Sequence, residues 1–360
     1  MWNVNVAFLR SSLCASSLAL ALAVGCAGQS LDPDLEREEA LADEEAEQSD
    51  TDSLPTPTVI ASGQEFPSDV EVDGSSAYWA TAPNFGLDPG SVRRASKSGG
   101  GAVTEIQAGI PDIGGIEVDA SRVYWSTGAA VEGVGGIQSE PKAGGEVVDV
   151  VAATRVFNFA LQGSDIYFLS PDAGGRVLKV ARTGGAVTTL AEDVGPGLDF
   201  IPFIAIGGGK AFFTQSTFEG VCDGRVRFVS LTGGALVTVA EGICGLRGIG
   251  ADHRAVYWTE FDTTTSVGRV VKKEAPFTSG SPVVLATVTT QPFSLALDDA
   301  SVYYTTGSPA DVGQIRKVSK FGGGRRVLAT DQLVPLFVNV DQSHVYWTTP
   351  FDGEVKRVPK

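Results

Sequence analysis

The amino-acid sequence predicts an all-β protein built from seven similar repeats, and three observations support this prediction. The chain has 360 residues with 44 glycines and a single methionine, a composition typical of turn-rich β proteins. The body of the chain shows no helical periodicity, and its apolar runs are rich in Val, Ile, Tyr, Phe, Trp and Thr. A triplet close to Val-Tyr-Trp recurs along it. These features indicate repeated antiparallel strands.

The spacing of the triplets indicates which kind of repeat is present. The last aromatic residue of each triplet follows the previous one by 43 to 46 residues. This period fits the four-stranded blade of a β-propeller rather than a helical solenoid. The seven aromatic positions are Trp79, Trp125, Phe168, Phe213, Trp258, Tyr304 and Trp347. Because neighbouring blades diverge away from the axis, we interpret these side chains as core packing rather than as an exposed ligand cage.

Each repeat has the same order of strands. An apolar strand such as Ile116–Asp119 precedes the aromatic strand, and a variable loop follows it. A third strand such as Gln314–Lys320 then leads through a Gly-Gly turn to a last strand such as Arg325–Ala329. The glycines supply the positive φ angles that a tight hairpin needs. Each repeat is therefore predicted to form a four-stranded meander.

The two ends of the body complement each other. The seventh repeat stops at Lys360 after its third strand, whereas Thr58–Asp73 parallels the fourth-to-first strand segment Val283–Asp298 of an earlier repeat. We therefore expect Thr58–Ala61 to be the outer strand of the last blade, which would close the ring and remove an open edge. The prediction is a seven-bladed β-propeller of four-stranded antiparallel blades over residues 58–360.

The recurring pattern of an acid, Val-Tyr-Trp-Thr, Lys-Val, Gly-Gly and Leu-Ala resembles the YWTD propellers of lipoprotein-receptor type and the NHL and TolB-like propellers. The resemblance covers residues 58–360. Thr or Ser stands here where YWTD repeats carry an acid after the aromatic strand. The resemblance implies a scaffold whose members bind proteins, sugars or metals, or act as hydrolases and lyases. It therefore does not select one function.

The beginning of the chain has the features of an export signal. Residues 1–25 contain Arg10 followed by an apolar run too short to span a bilayer, as in a signal peptide. The segment Leu22–Cys26 resembles a bacterial lipobox, which implies lipid attachment at Cys26, although Ala23 stands where such motifs usually have Leu. Ordinary secretory cleavage is the alternative. We expect an exported, membrane-anchored lipoprotein in the periplasm or at the outer membrane.

Residues 26–57 have the composition of a disordered linker. The segment from Asp32 to Asp52 contains eleven carboxylates and one cation, Arg37, and no aromatic residue. A flexible chain of this length would reach on the order of 30 Å. The body of the chain is also mildly acidic, so a nucleic-acid partner is disfavoured.

Only Cys222 and Cys244 remain in the body once Cys14 leaves with the leader and Cys26 carries a lipid. An even pair in an exported chain predicts a disulfide, with two buried free thiols as the alternative. Cys222 lies in a loop after a second strand, and Cys244 lies in the loop leaving the same blade. Both kinds of loop share one face of a propeller, here called the loop face, opposite the turn face.

The loop face is one candidate binding surface. Its long loops are rich in Phe, Pro and Asp, and an apolar surface with an acidic rim is typical of a contact site. The alternative is that these residues cap the blade ends. The candidate residues are Phe85, Asp88, Asp199, Phe200, Phe218, Phe261, Asp262, Phe351 and Asp352.

The central channel is the second candidate site. One inward position of the first strands is Ala or Gly in four blades and Glu71, Glu117 or Asn339 in the other three, which are neighbours in a closed ring. Asp69 and Asn158 lie one pleat away on the same side. Such oxygens could hold Ca²⁺, as the resemblance to calcium-dependent propeller hydrolases and lactonases also implies. The alternative is a water-filled channel with solvated glutamates.

The sequence offers few residues suited to nucleophilic catalysis or zinc binding. The two histidines, His253 and His344, precede aromatic strands in turns of the turn face, and no Cys/His metal spacing occurs. We therefore expect a monomeric, non-catalytic binding module whose loop face contacts a protein, peptide or glycan of the cell envelope, and which touches the membrane only through its lipid. The alternative is a calcium-dependent hydrolase, lactonase or lyase with its site in the channel.

Overall fold

The structure is a computed structural model that describes residues 37–38, 40–42, 54–83, 88–128, 135–195, 202–216, 221–308 and 311–360. Within these ranges, strands form seven separate four-stranded antiparallel sheets, and each sheet is one blade of a propeller. A 3-10 helix at Asp172–Gly174 interrupts one connection. None of the helices in the described ranges is long and apolar enough to span a bilayer.

The strands are numbered along the chain. Strand β1 is Thr58–Ala61, and blade 1 contains β2 (Pro67–Val72), β3 (Ser76–Thr81), β4 (Gly90–Ser96) and β5 (Thr104–Ile110). Blade 2 contains β6 (Ile116–Val118), β7 (Arg122–Thr127), β8 (Gly136–Pro141) and β9 (Val148–Ala152), and blade 3 contains β10 (Phe159–Gln162), β11 (Asp165–Ser170), β12 (Arg176–Ala181) and β13 (Thr188–Ala191). Blade 4 contains β14 (Ile204–Gly207), β15 (Lys210–Gln215), β16 (Gly224–Ser230) and β17 (Val237–Ile243). Blade 5 contains β18 (Ile249–Ala251), β19 (Ala255–Asp262), β20 (Val267–Glu274) and β21 (Val283–Val288), and blade 6 contains β22 (Gln291–Leu297), β23 (Ser301–Ser308), β24 (Asp311–Ser319) and β25 (Arg326–Gln332). Blade 7 contains β26 (Val338–Val340), β27 (His344–Thr349), β28 (Glu354–Pro359) and β1.

The ring is closed by the first strand of the body. Strand β1 pairs antiparallel with β28, with Thr58 opposite Arg357 and Ala61 opposite Val355. The N–H of Gln64 then donates to the carbonyl oxygen of Gly353 at 2.9 Å. Gly353 has a φ of +66°, and a Cβ there would lie 2.5 Å from the Gln64 oxygen, so this contact requires glycine. The predicted seven-bladed propeller, closed by an N-terminal outer strand, is confirmed.

The repeated aromatic residues form the packing between blades. Trp79, Trp125 and Trp347 are fully buried, as is Trp258 at 1% exposure. Trp125, for example, packs with residues of blade 1 such as Tyr78 and Val92. The interpretation of these residues as core is confirmed.

Each buried indole N–H also has an acceptor, which burial of a polar group requires. The acceptors are Gln64 for Trp79 (3.2 Å), Gln138 for Trp125 (3.1 Å), Glu260 for Trp258 (3.0 Å) and Gln332 for Trp347 (3.1 Å). The sequence analysis did not identify these four acceptors, because no fixed spacing relates them to the Trp residues.

A clasp made of three side chains joins neighbouring blades on the turn face. In blade 1, Asp73 follows the first strand and accepts hydrogen bonds from the N–H groups of Ser75 and Ser76, both at 2.8 Å. Its carboxylate also accepts the Tyr78 hydroxyl at 2.8 Å and the Nζ of Lys142, from blade 2, at 2.7 Å. The cation therefore ties one blade to the turn of the preceding blade.

The same clasp occurs at five of the seven blade junctions. The remaining four are Asp119 with Tyr124 and Arg182, Asp252 with Tyr257 and Lys320, Asp298 with Tyr303 and Lys360, and Asp341 with Tyr346 and Lys97. In these four the distance from the cation to the carboxylate oxygen is 2.6 to 3.2 Å. Hydrogen bonds of this charge-assisted kind are stronger than neutral ones.

The two junctions without a clasp are those of blade 4. Between blades 3 and 4, Gln162 and Leu231 occupy the positions of the aspartate and the cation, and Leu231 packs against the apolar cluster that contains Tyr167. Between blades 4 and 5 these positions are Gly207 and Ala275. There the rings of Phe212, Phe228 and Phe277 pack with centroids 4.9 to 5.7 Å apart. Apolar contacts thus replace the clasp on both sides of blade 4.

Blade 4 also contains the disulfide. Cys222, two residues before β16, is bonded to Cys244, the first residue after β17. Both lie at the loop face. The predicted pairing is confirmed.

One predicted loop is shorter than expected. Phe261 and Asp262 were predicted to lie in a long loop of the loop face, but they end β19 and pair with Gly268 and Val267 of β20. Only residues 263–266 form the connection. Phe261 and Asp262 continue the antiparallel register of β19 and β20 without a break. The placement of these two residues in a loop was therefore wrong.

Candidate functional site

The first strands of all seven blades line a cavity on the axis. Its volume is about 270 Å³. All five residues singled out from the sequence, Asp69, Glu71, Glu117, Asn158 and Asn339, line this cavity. The structure therefore brings together three carboxylates and two carboxamides from neighbouring blades.

Hydrogen bonds connect these polar residues across two blade junctions. The Nδ2 of Asn339 donates to Oε1 of Glu71 at 2.7 Å and to the carbonyl oxygen of Val70 at 3.2 Å, which links blade 7 to blade 1. The Asp69 carboxylate accepts the N–H of Ile116 from blade 2 at 2.9 Å and that of Val70 at 3.0 Å. These bonds hold the polar wall of the channel in place.

The surroundings of the channel carboxyl groups favour their protonated, uncharged forms. Burial raises the pKa of Asp69 to about 6, against the effect of its two backbone hydrogen bonds. Burial, and then the charge of Asp69, raises the pKa of Glu117 to about 8. Burial and the charges of Glu117 and Asp69 raise the pKa of Glu71 well above its usual value, and the hydrogen bond from Asn339 offsets this only in part. The charge of Lys142 near Glu71 and that of Arg182 near Glu117 lower these pKa values only in part.

The polar residues do not form a calcium shell as they are placed. Among the described residues, no group of three or more His, Cys, Asp or Glu lies close enough together to hold a metal ion. Asn339 directs its amide N–H, a donor, toward Glu71 rather than offering an oxygen. Calcium prefers six to eight converging oxygens, so this arrangement does not fit it.

Apart from Ser294, the other side chains of the channel wall are apolar. Ile249 and Leu295 line it, and the rings of Phe203 and Phe337 meet with centroids 6.3 Å apart. Each of these two Phe residues directly precedes a first strand, so the pair narrows the end of the channel at the loop face. At the turn face, Asn339 also borders a wider cavity of about 880 Å³. The broader entrance is therefore at the turn face.

The predicted loop-face residues lie in two separate places. Phe85, Asp199, Phe200 and Phe218 fall outside the described residues. Phe351 is 50% exposed and packs edge-on against Phe66 at 5.6 Å, and Asp352 follows it in the same connection of blade 7. Nearby, a groove of about 450 Å³ is lined by Glu65, Phe66, Pro83, Asp88 and Pro89.

Asp262 borders a second groove, of about 310 Å³, between blades 4 and 5. This groove also contains Cys244, Trp258 and Glu260. Burial raises the pKa of Glu260 despite the hydrogen bond from Trp258 and the charge of Arg269. Because blades 4 and 5 are on the other side of the ring from Phe351 and the groove that contains Asp88, the predicted residues do not form one continuous patch.

The two faces differ in charge. The described connections of the loop face carry eight carboxylates and two cations, namely Glu65, Asp88, Asp112, Asp172, Glu192, Asp193, Asp223 and Asp352 against Arg155 and Arg247. The connections of the turn face carry seven of each, namely Asp73, Asp119, Glu146, Asp252, Asp298, Asp299 and Asp341 against Lys97, Lys142, Arg182, Arg254, Lys320, Arg325 and Lys360. The loop face is therefore acidic, and the turn face is balanced.

The loop face also has exposed apolar side chains that the sequence analysis did not select. Leu333 is 37% exposed in the connection from blade 6 to blade 7, and Val221 is 46% exposed beside Cys222. Their positions in connections of the loop face were the only signal in the sequence that could have identified them.

No family model and no curated protein matches this chain. Many solved structures resemble it, among them the following three. Virginiamycin B lyase from Staphylococcus aureus has a TM-score of 0.63 at 11% identity, over 85% of this chain and 98% of that one. The β-propeller domain of the Trilobed protease from Pyrococcus furiosus has a TM-score of 0.56 at 8% identity, over 81% and 95% of the two chains. A puromycin-hydrolyzing peptidase from Mycobacterium tuberculosis has a TM-score of 0.56 at 15% identity, over 86% of this chain and 56% of that one. At such identities the likeness concerns the fold alone, and the chain is a seven-bladed β-propeller.

Proposed function

We propose that this protein is a lipid-anchored, non-catalytic binding module of the cell envelope, and that its loop face contacts a protein, peptide or glycan partner. The proposal includes a signal peptide at residues 1–25, lipid on Cys26 and a tether to residue 57. The observation that carries it is the difference in charge between the two faces. Complementary potentials guide association and specificity, so the acidic loop face favours a partner that presents cationic groups.

The position at which the linker joins the propeller supports the loop face as the side that contacts a partner. Thr58 pairs with Arg357 near the turn-face end of β28, and β1 runs from there toward the loop face. The residues before Thr58 therefore join the outer rim of the ring on the turn-face side. A lipid at Cys26 would then hold the turn face toward the membrane and leave the loop face pointing away from it.

The partner-binding proposal is tested with two charge-matched double variants. Glu65→Lys/Asp88→Lys changes the loop-face groove, and Glu146→Lys/Asp299→Lys changes exposed carboxylates of the turn face. The full-length proteins are used to capture partners from native envelope extracts at low and high salt. We expect the same partner with wild type and the turn-face variant, loss with the loop-face variant, and weaker capture at high salt. Equal capture by both variants would reject the loop face as the contact surface.

Lipid attachment is tested separately. Mass spectrometry of the N-terminal peptide from membranes should show a diacylglyceryl group on Cys26, and Cys26→Ser should move the protein out of the membrane fraction. An unmodified peptide that begins at another residue would indicate ordinary secretion.

The channel supports a second candidate function. A hydrolase, lactonase or lyase acting there would use the convergence of Asp69, Glu71 and Glu117 on one cavity with an apolar opposite wall. The residues as placed do not form a calcium shell, so calcium dependence is the first point to test. A thermal midpoint raised by Ca²⁺ relative to EDTA in wild type, but not in Glu71→Gln/Glu117→Gln, would favour this candidate. Equal midpoints, with no bound metal, would count against it.

A further inference from the structure

Blade 4 is held in the ring differently from the other blades. Five junctions have the clasp of aspartate, tyrosine and cation, and the two that lack it are the two sides of blade 4. The seven repeats act as internal controls for one another, since the strand order is the same in all of them. The absence of both clasps is therefore specific to this blade.

The disulfide fastens the outer part of the same blade. Strand β17 is the outer strand of blade 4 and pairs only with β16, with register irregularities at Gly224–Arg225 and Val226–Arg227. Cys244 directly follows β17, and its bond to Cys222 anchors that end beside the start of β16. Closing a loop of 22 residues in this way contributes on the order of 3 kcal/mol.

The disulfide lies at the surface, where a reductant can reach it. Cys222 is exposed, and Cys244 is partly exposed. Cys244 also borders the groove of about 310 Å³ between blades 4 and 5, together with Ile243 at the end of β17. The end of β17 thus borders open space on one side, while the Ile243 side chain packs in the apolar cluster that contains Leu246 and Trp258.

We propose that the Cys222–Cys244 disulfide is a redox switch of blade 4. Its reduction releases β17 and the loop-face end of that strand from β16, while the blades with clasps stay closed. The reductant is a dithiol. One of its thiolates attacks a protein sulfur to form a mixed disulfide, and its second thiolate resolves this bond. Two electrons and two protons thereby pass to the protein, whose Cys222 and Cys244 become free thiols. The dithiol becomes a cyclic disulfide. This switch goes beyond the proposed function, because it is a property of blade 4 itself and needs no binding partner.

Hydrogen exchange followed by mass spectrometry tests this inference on the full chain. Wild type is compared with and without dithiothreitol, and with Cys222→Ser/Cys244→Ser. We expect exchange in residues 237–243 to become on the order of 100-fold faster in both reduced wild type and the variant. The control is β5 of blade 1, an outer strand with two register irregularities and clasped neighbours, where exchange should not change.

A second variant tests the role of the missing clasp. Gln162→Asp/Leu231→Lys supplies both charges at the junction of blades 3 and 4, and Gln162→Asn/Leu231→Met is its uncharged control. In reduced protein the charged pair should slow exchange in blade 4 relative to the control. Unchanged exchange of β17 on reduction, or equal acceleration in all blades, would overturn the inference. The dithiothreitol comparison starts from folded wild type, so it stands even where the serine variant fails to fold, and it needs no binding partner.

Discussion

The clasp between blades 6 and 7 can be tested by one substitution, because a clasped and an unclasped aspartate are adjacent there. Asp298 accepts hydrogen bonds from Lys360 at 2.7 Å, from the Tyr303 hydroxyl at 2.8 Å and from two backbone N–H groups. Asp299 is exposed. Asp298→Asn removes the charge from the clasp, and Asp299→Asn removes the same charge from its neighbour.

The expected loss of stability follows from the pKa of Asp298. Burial alone would raise it, but the hydrogen bonds from Lys360, the backbone and Tyr303 lower the pKa to about 2. A depression of this size from the unfolded value corresponds to about 2.6 kcal/mol for a fully shielded group. The side chain is 27% exposed, and solvent screening reduces the effect. We expect Asp298→Asn to lower the free energy of unfolding by roughly 1–2 kcal/mol at pH 7.

The pH dependence gives the sharper test. The folded pKa lies below the unfolded pKa, so the stabilisation is present above about pH 4 and is lost as the pH falls toward 2. Urea unfolding at pH 7, 5, 4 and 3 should therefore show a difference between wild type and Asp298→Asn that shrinks below pH 4. Asp299→Asn should change stability by less than about 0.5 kcal/mol throughout. A constant difference from pH 7 to 3, or equal effects of the two variants, would refute this account of the clasp.

Three further predictions concern the channel, the core and the ring closure. Burial raises the pKa of Glu117 to about 8, so its cost to stability is absent below about pH 4 and grows as the pH rises toward 8. Glu117→Gln should therefore stabilise the protein by about 1–3 kcal/mol at pH 8 and leave it unchanged at pH 4, as measured by urea unfolding. Trp125→Ala should cost about 3–5 kcal/mol because the indole is fully buried, whereas a loss below about 1 kcal/mol would contradict its core role. Removal of residues 1–61, compared with removal of residues 1–57, should lower the thermal midpoint and speed exchange in β28, because β28 then has a free edge.

The fold was predictable because the repeat amplifies a weak signal. A single strand such as His344–Thr349 is ambiguous by itself, but seven copies at one period specify the blade. The missing fourth strand of the last repeat then indicated Thr58–Ala61, and the structure has β1 at those residues. The disulfide was predicted from the even pair of cysteines, and the strand order supported it by placing Cys222 and Cys244 at one face of one blade.

The clasps were not predictable in this way. The aspartate at the end of a first strand is visible in the sequence, but its cation lies on the next blade. Lys142 is 69 residues from Asp73, and Lys97 is 244 residues from Asp341 across the ring closure. Such pairs become apparent only when blades are placed side by side.

The candidate sites were predictable only in part. Alternation along the first strands identified the polar wall of the channel, but Phe203 and Phe337 were missed because they precede the strands and follow no alternation. The prediction of loop-face residues depended on where each loop was expected to begin and end. That expectation is wrong where a hairpin stays paired beyond the predicted end of its strands, as at Phe261 and Asp262.

The closure of the ring has a consequence for the order of folding. Strand β1 is the first strand of the propeller along the chain, yet its partner is β28, the last one. Blade 7 therefore forms only after the strands of all the other blades are present, and such distant pairing slows folding. Until then β1 and the inner strands of blade 7 have unpaired edges, which favour association between chains. We expect blades 1–6 to gain protection in chain order and blade 7 to be protected last, because it alone combines the first and the last strands of the ring.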